Sequence, residues 1–151
     1  MKRYILIICL LIFIDQLSKW YVINLLKNVD VIEVFNCLQL TTVWNTGISF
    51  GIWHNFVYSN IVFCIISTVI TFVLFFLLVL RSFDRLPLSV IIGGSIGNIV
   101  DRVRYGAVYD FIDFYVNTWH WPAFNLADSF IFLGVVIILR KSIVISKFKN
   151  S

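Results

Sequence analysis

Residues 57 to 80 run for 24 positions without a single charged side chain and stop at Arg81. A helix of about 20 apolar residues spans the hydrocarbon core of a bilayer, and this segment has no other plausible use at that length. Composition extends the argument to the whole chain. Of 151 residues, 60% are hydrophobic, 17% aromatic and 13% charged, with mean hydropathy +0.94. A soluble domain carries about twice that share of charge, so a water-facing globule or a large extramembrane domain is excluded.

Three further apolar stretches share the pattern. The first covers roughly residues 4–26 behind Lys2 and Arg3, which resembles the start of a secretory signal, but it is long enough to span, no small-x-small site follows it, and bulky Ile8 precedes Cys9. It is expected to remain uncleaved. The third, at about 86–104, has only 15 uncharged residues from Leu86 to Val100, which brings Asp101 and Arg102 to the membrane boundary. The fourth, about 125–145, reaches spanning length only by including Asp128 in its first turns. The expected architecture is therefore an α-helical membrane protein, one domain over residues 1–151, with four transmembrane helices at about 4–26, 57–80, 86–104 and 125–145.

Four crossings place Lys2, Arg3, Arg81, Arg85, Arg140, Lys141, Lys147 and Lys149 on one side, eight of the twelve basic residues. That side is read as cytoplasmic, with both termini on it, so the net charge of +4 reports membrane sidedness and not nucleic-acid binding. Between the first two spans, Val31 to Trp53 is rich in β-formers and Asn45-Thr46-Gly47 supplies a turn, which predicts a small extracytoplasmic β element lying on the membrane. Cys9, Cys37 and Cys64 show no redox or zinc spacing and read as packing residues.

Polar residues inside apolar helices carry the functional information. Asp15 and Lys19, four apart, share a helix face and can pair, which reads as structural anchoring more than direct chemistry. Gly94, Asn98, Asp101 and Arg102 share a face in the third span, where Gly93, Gly94 and Gly97 permit close helix approach. That face suits a tight helix contact, a substrate contact, or both. Asp110, just beyond the third span, and Asp128, at the start of the fourth, reach the same membrane depth. Two neighbouring carboxylates there would share a proton and could activate water, as in aspartic peptidases. From spacing alone, two unrelated interface carboxylates are the better fit.

Other chemistries fare worse. Gly93-Gly94-Ser95-Ile96-Gly97 fits G-x-S-x-G, but inside an apolar helix and not at a strand-to-helix elbow. His54 and His120, the two histidines, have no ligand spacing, so no metal is expected, and no nucleotide-binding glycine pattern occurs.

The chain resembles the signal peptidase II family of lipoprotein signal peptidases along nearly its whole length. The matching segments are Asp15-Gln16 with Lys19; Asn45-Thr46-Gly47-Ile48-Ser49-Phe50; Gly93 to Asn98 through Asp101-Arg102; Val108-Tyr109-Asp110-Phe111; and Trp121-Pro122-Ala123-Phe124-Asn125-Leu126-Ala127-Asp128. Ser49 departs from the alanine common in the family.

The resemblance implies an aspartyl endopeptidase of the bacterial inner membrane, with its active site near the outer face, that removes prolipoprotein signal peptides before a diacylglyceryl-modified cysteine. Asp110 and Asp128 match the catalytic pair. Asn45, Asn98, Arg102 and Asn125 match polar residues that bind substrate or support the site, and Asp15, Lys19 and Asp101 match fold-supporting positions. Expected partners are lipidated signal peptides and membrane lipids, with no cofactor and no nucleic acid; the protein is expected to be a monomer. Lipid recognition is assigned to the apolar flanks of spans two to four and the stretch Trp119 to Phe124. The rival reading is a small four-helix ion or solute transporter lined by Asp15, Lys19, Asn98, Asp101 and Arg102.

Overall fold

The computed structural model describes residues 1–47, 58–81 and 83–149, with side chains through residue 143. Ser49 and its motif neighbours Ile48 and Phe50, His54, Val57 and the side chains of Lys147 and Lys149 lie outside the described residues.

Four helices and four strands follow in the order α1 (Lys2–Leu25), β1 (Val31–Phe35), β2 (Leu38–Asn45), α2 (Ser59–Leu80), α3 (Arg85–Tyr105), β3 (Val108–Val116), β4 (Trp119–His120) and α4 (Leu126–Lys149). Helix α3 is the centre of the bundle and packs against the other three. It is also the helix richest in glycine, which lets its neighbours come close. A Cβ on Gly94 would stand 2.3 Å from the Ala127 carbonyl oxygen of α4, and one on Gly97 would stand 2.6 Å from an Asp15 carboxylate oxygen of α1. The expectation that this face brings helices into backbone contact is met on both sides of α3.

The outside of the bundle is apolar. Leu6, Phe13 and Trp20 of α1, Phe72 of α2 and Phe132 of α4 are all more than 60% exposed, an inversion expected where the solvent is lipid. By length and composition, α1, α2 and α3 are each able to cross a membrane. Helix α4 has 24 residues, but its uncharged run between Asp128 and Arg140 covers only 11 of them. Among the described residues, three helices are thus candidate crossings by length and composition where four were expected.

The β element is larger than the sequence suggested, and half of it comes from elsewhere. The strands form one antiparallel array in the order β1-β2-β3-β4, with β2 paired to β3 from Leu38↔Phe114 to Asn45↔Val108. Among the described residues, β1 and β2 lie between α1 and α2. The other two lie between α3 and α4, and the tight turn between β1 and β2 is at Asn36-Cys37, while Asn45 ends β2. Gly106 closes α3 at φ +74°, a left-handed conformation suited to glycine, and turns the chain from helix into β3.

Two apolar clusters hold these parts together. Ile8, Leu78, Leu88 and Ile92 pack toward the end where the chain begins, while Val22 and Leu26 of α1 meet Tyr109 and Phe111 of β3 toward the other. The second cluster fixes the sheet to the bundle. The cysteines are unpaired, and Cys9 and Cys37 are exposed instead of packed, because Cys9 falls on the outer face of α1 and Cys37 at the β1–β2 turn.

Candidate active site

Beyond the C-terminal end of α3, Asp110 stands on β3 and Asp128 in the first turn of α4. Asp110 is 2% exposed. Asn45 Nδ2 donates to its Oδ2 at 3.0 Å and Asn125 Nδ2 to its Oδ1 at 2.6 Å. Asp128 is half-buried; Asn98 Nδ2 donates to its Oδ1 at 2.7 Å and the Asn125 backbone N–H to its Oδ2 at 3.3 Å. Asn125 therefore touches both aspartates, one through its side chain and one through its backbone.

The environments of the two carboxyls differ. Burial, reinforced by the charge of Asp128, pushes Asp110 from its ordinary value of 3.8 up to about 6, against the opposing hydrogen bonds from Asn45 and Asn125. Asp128 occupies a helix N-terminus, where the dipole and free N–H groups favour a negative charge.

A second layer holds the first. Lys19 Nζ lies 2.9 Å from Asp15 and 2.6 Å from Asp101, so the i,i+4 pair expected in α1 is present and extends into α3. All three side chains are at most 3% exposed. Lys19 also donates to Asn98 Oδ1 at 3.2 Å, and Asn125 Nδ2 reaches the same oxygen at 3.2 Å. Asp15 Oδ1 accepts from the Ala127 N–H at 2.9 Å and so caps α4 from across the bundle. Asp101 Oδ2 accepts from the Tyr109 N–H at 3.3 Å, fixing the residue just before Asp110. A buried ion network with all its members satisfied sets geometry more than it adds net stability.

Gln16 was named in the sequence only as part of a motif and was given no role, yet its Nε2 reaches Asp15, the Gly97 carbonyl and Asp101, at 2.8 Å for the last. Its place beside Asp15 was visible; its reach to α3 was not.

Arg102 sits beside the pair, close enough for the charges of Asp128, Asp110 and Asp101 to act on it, and its Nε is buried without a hydrogen-bond partner. It lines, with Ser67, Ser95, Asn98 and Ile131, a groove of about 430 Å³ between α2, α3 and α4. Ser95 is thus a groove residue in mid-helix and not at a nucleophile elbow.

The nearby Asp113 belongs elsewhere. Three residues along β3 it points to the opposite face, where Gln39 Nε2 donates to its Oδ2 at 2.6 Å and His120 Nδ1 lies 2.8 Å away. Phe124, expected to read lipid, has a structural task in addition. Its carbonyl accepts the N–H groups of Phe111 and Ile112 at 3.1 and 2.8 Å, tying the residue before Asn125 to β3. Trp119 and Trp121 remain exposed. Among the described residues no three His, Cys, Asp or Glu side chains gather as metal ligands.

A helical membrane protein with two aspartates bridged by asparagines at one end of the bundle defines a class, that of a membrane hydrolase. Residues 7–144 match the family model for signal peptidase (SPase) II, and the chain belongs to that family. It is 44% identical over 137 residues to the lipoprotein signal peptidase of Anaplasma phagocytophilum (strain HZ), covering 89% of this chain and 88% of that one. It is 45% identical over 139 residues to that of Rickettsia bellii (strain OSU 85-389), covering 89% and 71%. A solved structure of a bacterial membrane enzyme superposes with a TM-score of 0.80 at 29% identity, over 100% of this chain and 96% of the other.

Proposed function

We propose that this chain removes the signal peptides of prolipoproteins by aspartic-type hydrolysis, cutting on the N-terminal side of a diacylglyceryl-modified cysteine with Asp110 and Asp128 as the catalytic pair. Membership of the signal peptidase II family supports the reaction. The observation that carries the residue assignment is the double hold of Asn125 on Asp110 and Asp128.

The two environments suggest the roles. Asp110, with its raised pKa, starts as the acid, and Asp128, at the helix N-terminus, starts as the base. Asp128 takes a proton from a water, whose oxygen attacks the scissile carbonyl as Asp110 protonates the developing oxyanion. On collapse, Asp110 recovers a proton from the tetrahedral intermediate and Asp128 delivers one to the leaving amine. Asn45, Asn98 and Asn125 hold the carboxyls, while Arg102, which lines the groove, offers guanidinium donors to substrate carbonyls. The groove suits an apolar segment or acyl chain lying between α2 and α4. Asp15, Lys19 and Asp101 support the fold.

The proposal includes one domain over residues 1–151, a four-span topology in the bacterial inner membrane, cytoplasmic termini and a site near the outer face, working as a monomer. Reporter fusions after residue 151 and near Asp30 should lie on opposite sides. A transporter is disfavoured because Asp15, Lys19 and Asp101 are closed on one another and not aligned along a path.

The test is cleavage of matched precursor peptides, with and without the diacylglyceryl group, by purified protein in nanodiscs. Two acyl chains anchored at about 0.8 kcal/mol per buried CH₂ fix the height of the scissile bond. Cleavage confined to the lipidated peptide is expected; equal rates would leave a general membrane aspartyl peptidase.

A further inference from the structure

The end of the bundle farthest from Asp110 and Asp128 gathers cations that the proposed reaction does not use. Arg3 in the first turn of α1 and Arg85 at the start of α3 both stack on the ring of Tyr4, with guanidinium carbons 4.6 and 5.7 Å from its centroid. Tyr4 itself is 9% exposed, so this is a built arrangement and not two loose surface arginines. Two guanidiniums on one ring repel, and the cation–π attraction of each to the ring recovers only about 0.5–2 kcal/mol.

Among the described residues no carboxylate pairs with either guanidinium. Asp84, the acidic residue next to Arg85, is engaged by Lys141 and accepts the Leu86 N–H as the cap of α3. The first turn of α1 has no acidic residue and no side-chain cap, so its positive end adds to the same region, whereas that of α3 is capped by Asp84. Among the described residues, Arg3 and Arg85 make no ion pair, and Arg85 Nε is buried without a hydrogen-bond partner. An anion with several oxygens able to take two guanidinium forks is the missing element, and phosphate is a group that arginine recognises in that way. At the boundary of a bilayer, phosphate arrives as a lipid headgroup.

We propose that Arg3 and Arg85, seated on Tyr4, bind the phosphate of an anionic phospholipid at the end of the bundle opposite the dyad. The site locks α1 to α3 where their N-termini meet, so its occupation stabilises the pair of helices that carries Asp15, Lys19 and Asp101 at the other end.

The experiment compares thermal unfolding of the purified protein in nanodiscs of phosphatidylcholine alone and with one lipid in five replaced by phosphatidylglycerol. The wild type should gain several degrees in Tm from the anionic lipid. The pair Arg3→Gln/Arg85→Gln should lose most of that gain, whereas Arg81→Gln/Arg140→Gln, which removes the same charge from the same end away from Tyr4, should keep it. Equal losses in the two pairs would reduce the effect to diffuse attraction and overturn the proposal. The same gain from inorganic phosphate added to phosphatidylcholine discs would overturn the lipid as its source. Should the double glutamine variant not fold, Arg3→Lys/Arg85→Lys keeps the charge without the fork. That variant should lose at least half of the gain, and full retention would overturn the proposal.

Discussion

Asn125 and Asp128 cap one another: the Asn125 side-chain oxygen accepts the Asp128 N–H at 3.0 Å, and an Asp128 carboxylate oxygen accepts the Asn125 N–H at 3.3 Å. This is the reciprocal box that starts many helices, here with the proposed catalytic base as its second member. The torsional position of Asp128 is thereby set by the first turn of its own helix. The amide nitrogen of Asn125, left over from capping, is what reaches Asp110 and Asn98.

Capping and site support can be separated at this residue. Asn125→Ser keeps an acceptor for the Asp128 N–H but has no amide to give Asp110, so it should retain most stability and lose activity by at least about tenfold, the worth of one hydrogen bond to a charged group. Asn125→Ala should lose both, with about 1 kcal/mol or more of stability. Melting and cleavage assays on the same preparations check this, and equal melting of the two variants would remove the cap from the account.

Asp110→Asn and Asp128→Asn should each reduce cleavage by about a thousandfold or more while leaving the protein in the membrane, because an amide can neither accept the proton of water nor donate one to the oxyanion. Asp113→Asn should stay within a few-fold of wild type, since Asp113 faces Gln39 and His120 on the other side of β3. Measured rates in the reverse order would show that the wrong strand face has been assigned.

The proton on Asp110 gives a pH dependence with a definite sign. If Asp110 acts as the acid, kcat/KM should fall as pH rises past about 6, where the buried group ionises. Stability follows the same direction. Its folded pKa lies above the ordinary 3.8, so Asp110 contributes most below that value and the contribution is lost as pH rises through about 6. Two units correspond to about 3 kcal/mol at most. Tm measured from pH 4 to 7 should decline in the wild type and decline less in Asp110→Asn; parallel curves would contradict the assignment.

Helix approach can be tested at α3. Gly94→Ala forces a methyl against the Ala127 carbonyl of α4, so it should cost about 1–3 kcal/mol and displace the turn that holds Asp128. Gly93→Ala meets Leu11 Cβ at 3.0 Å, a looser approach than the 2.3 Å at Gly94, and should be the milder of the two. Comparable effects on activity would mean that the Gly94 contact does not position α4.

Helices and their inward polar residues were readable because both obey local rules. Apolar length predicted α1, α2 and α3, and the spacing of Asp15 and Lys19 placed them on one face, where they pair at 2.9 Å. Strand β3 escaped notice because its pairing partner β2 lies some seventy residues earlier, and Val108 to Val116 lacks the polar alternation of a half-exposed strand. Asp110 was consequently identified from its motif while its strand was not. Gln16 escaped for a related reason: its partners Gly97 and Asp101 lie more than eighty residues away, and only tertiary packing brings them near.

The hydrogen bond from Ala127 N–H to Asp15 joins the first helix to the last. During synthesis, Asp15 and Lys19 enter the bilayer as a self-neutralised couple, and the Asp101 carboxylate follows into a place where its counter-charge is already waiting. Asp128 emerges after every other member of the dyad's surroundings. The nascent chain therefore carries its ionic scaffold long before it carries its second carboxyl, and on the proposed assignment a ribosome that stalls ahead of residue 125 leaves behind an inert precursor and not an unregulated protease.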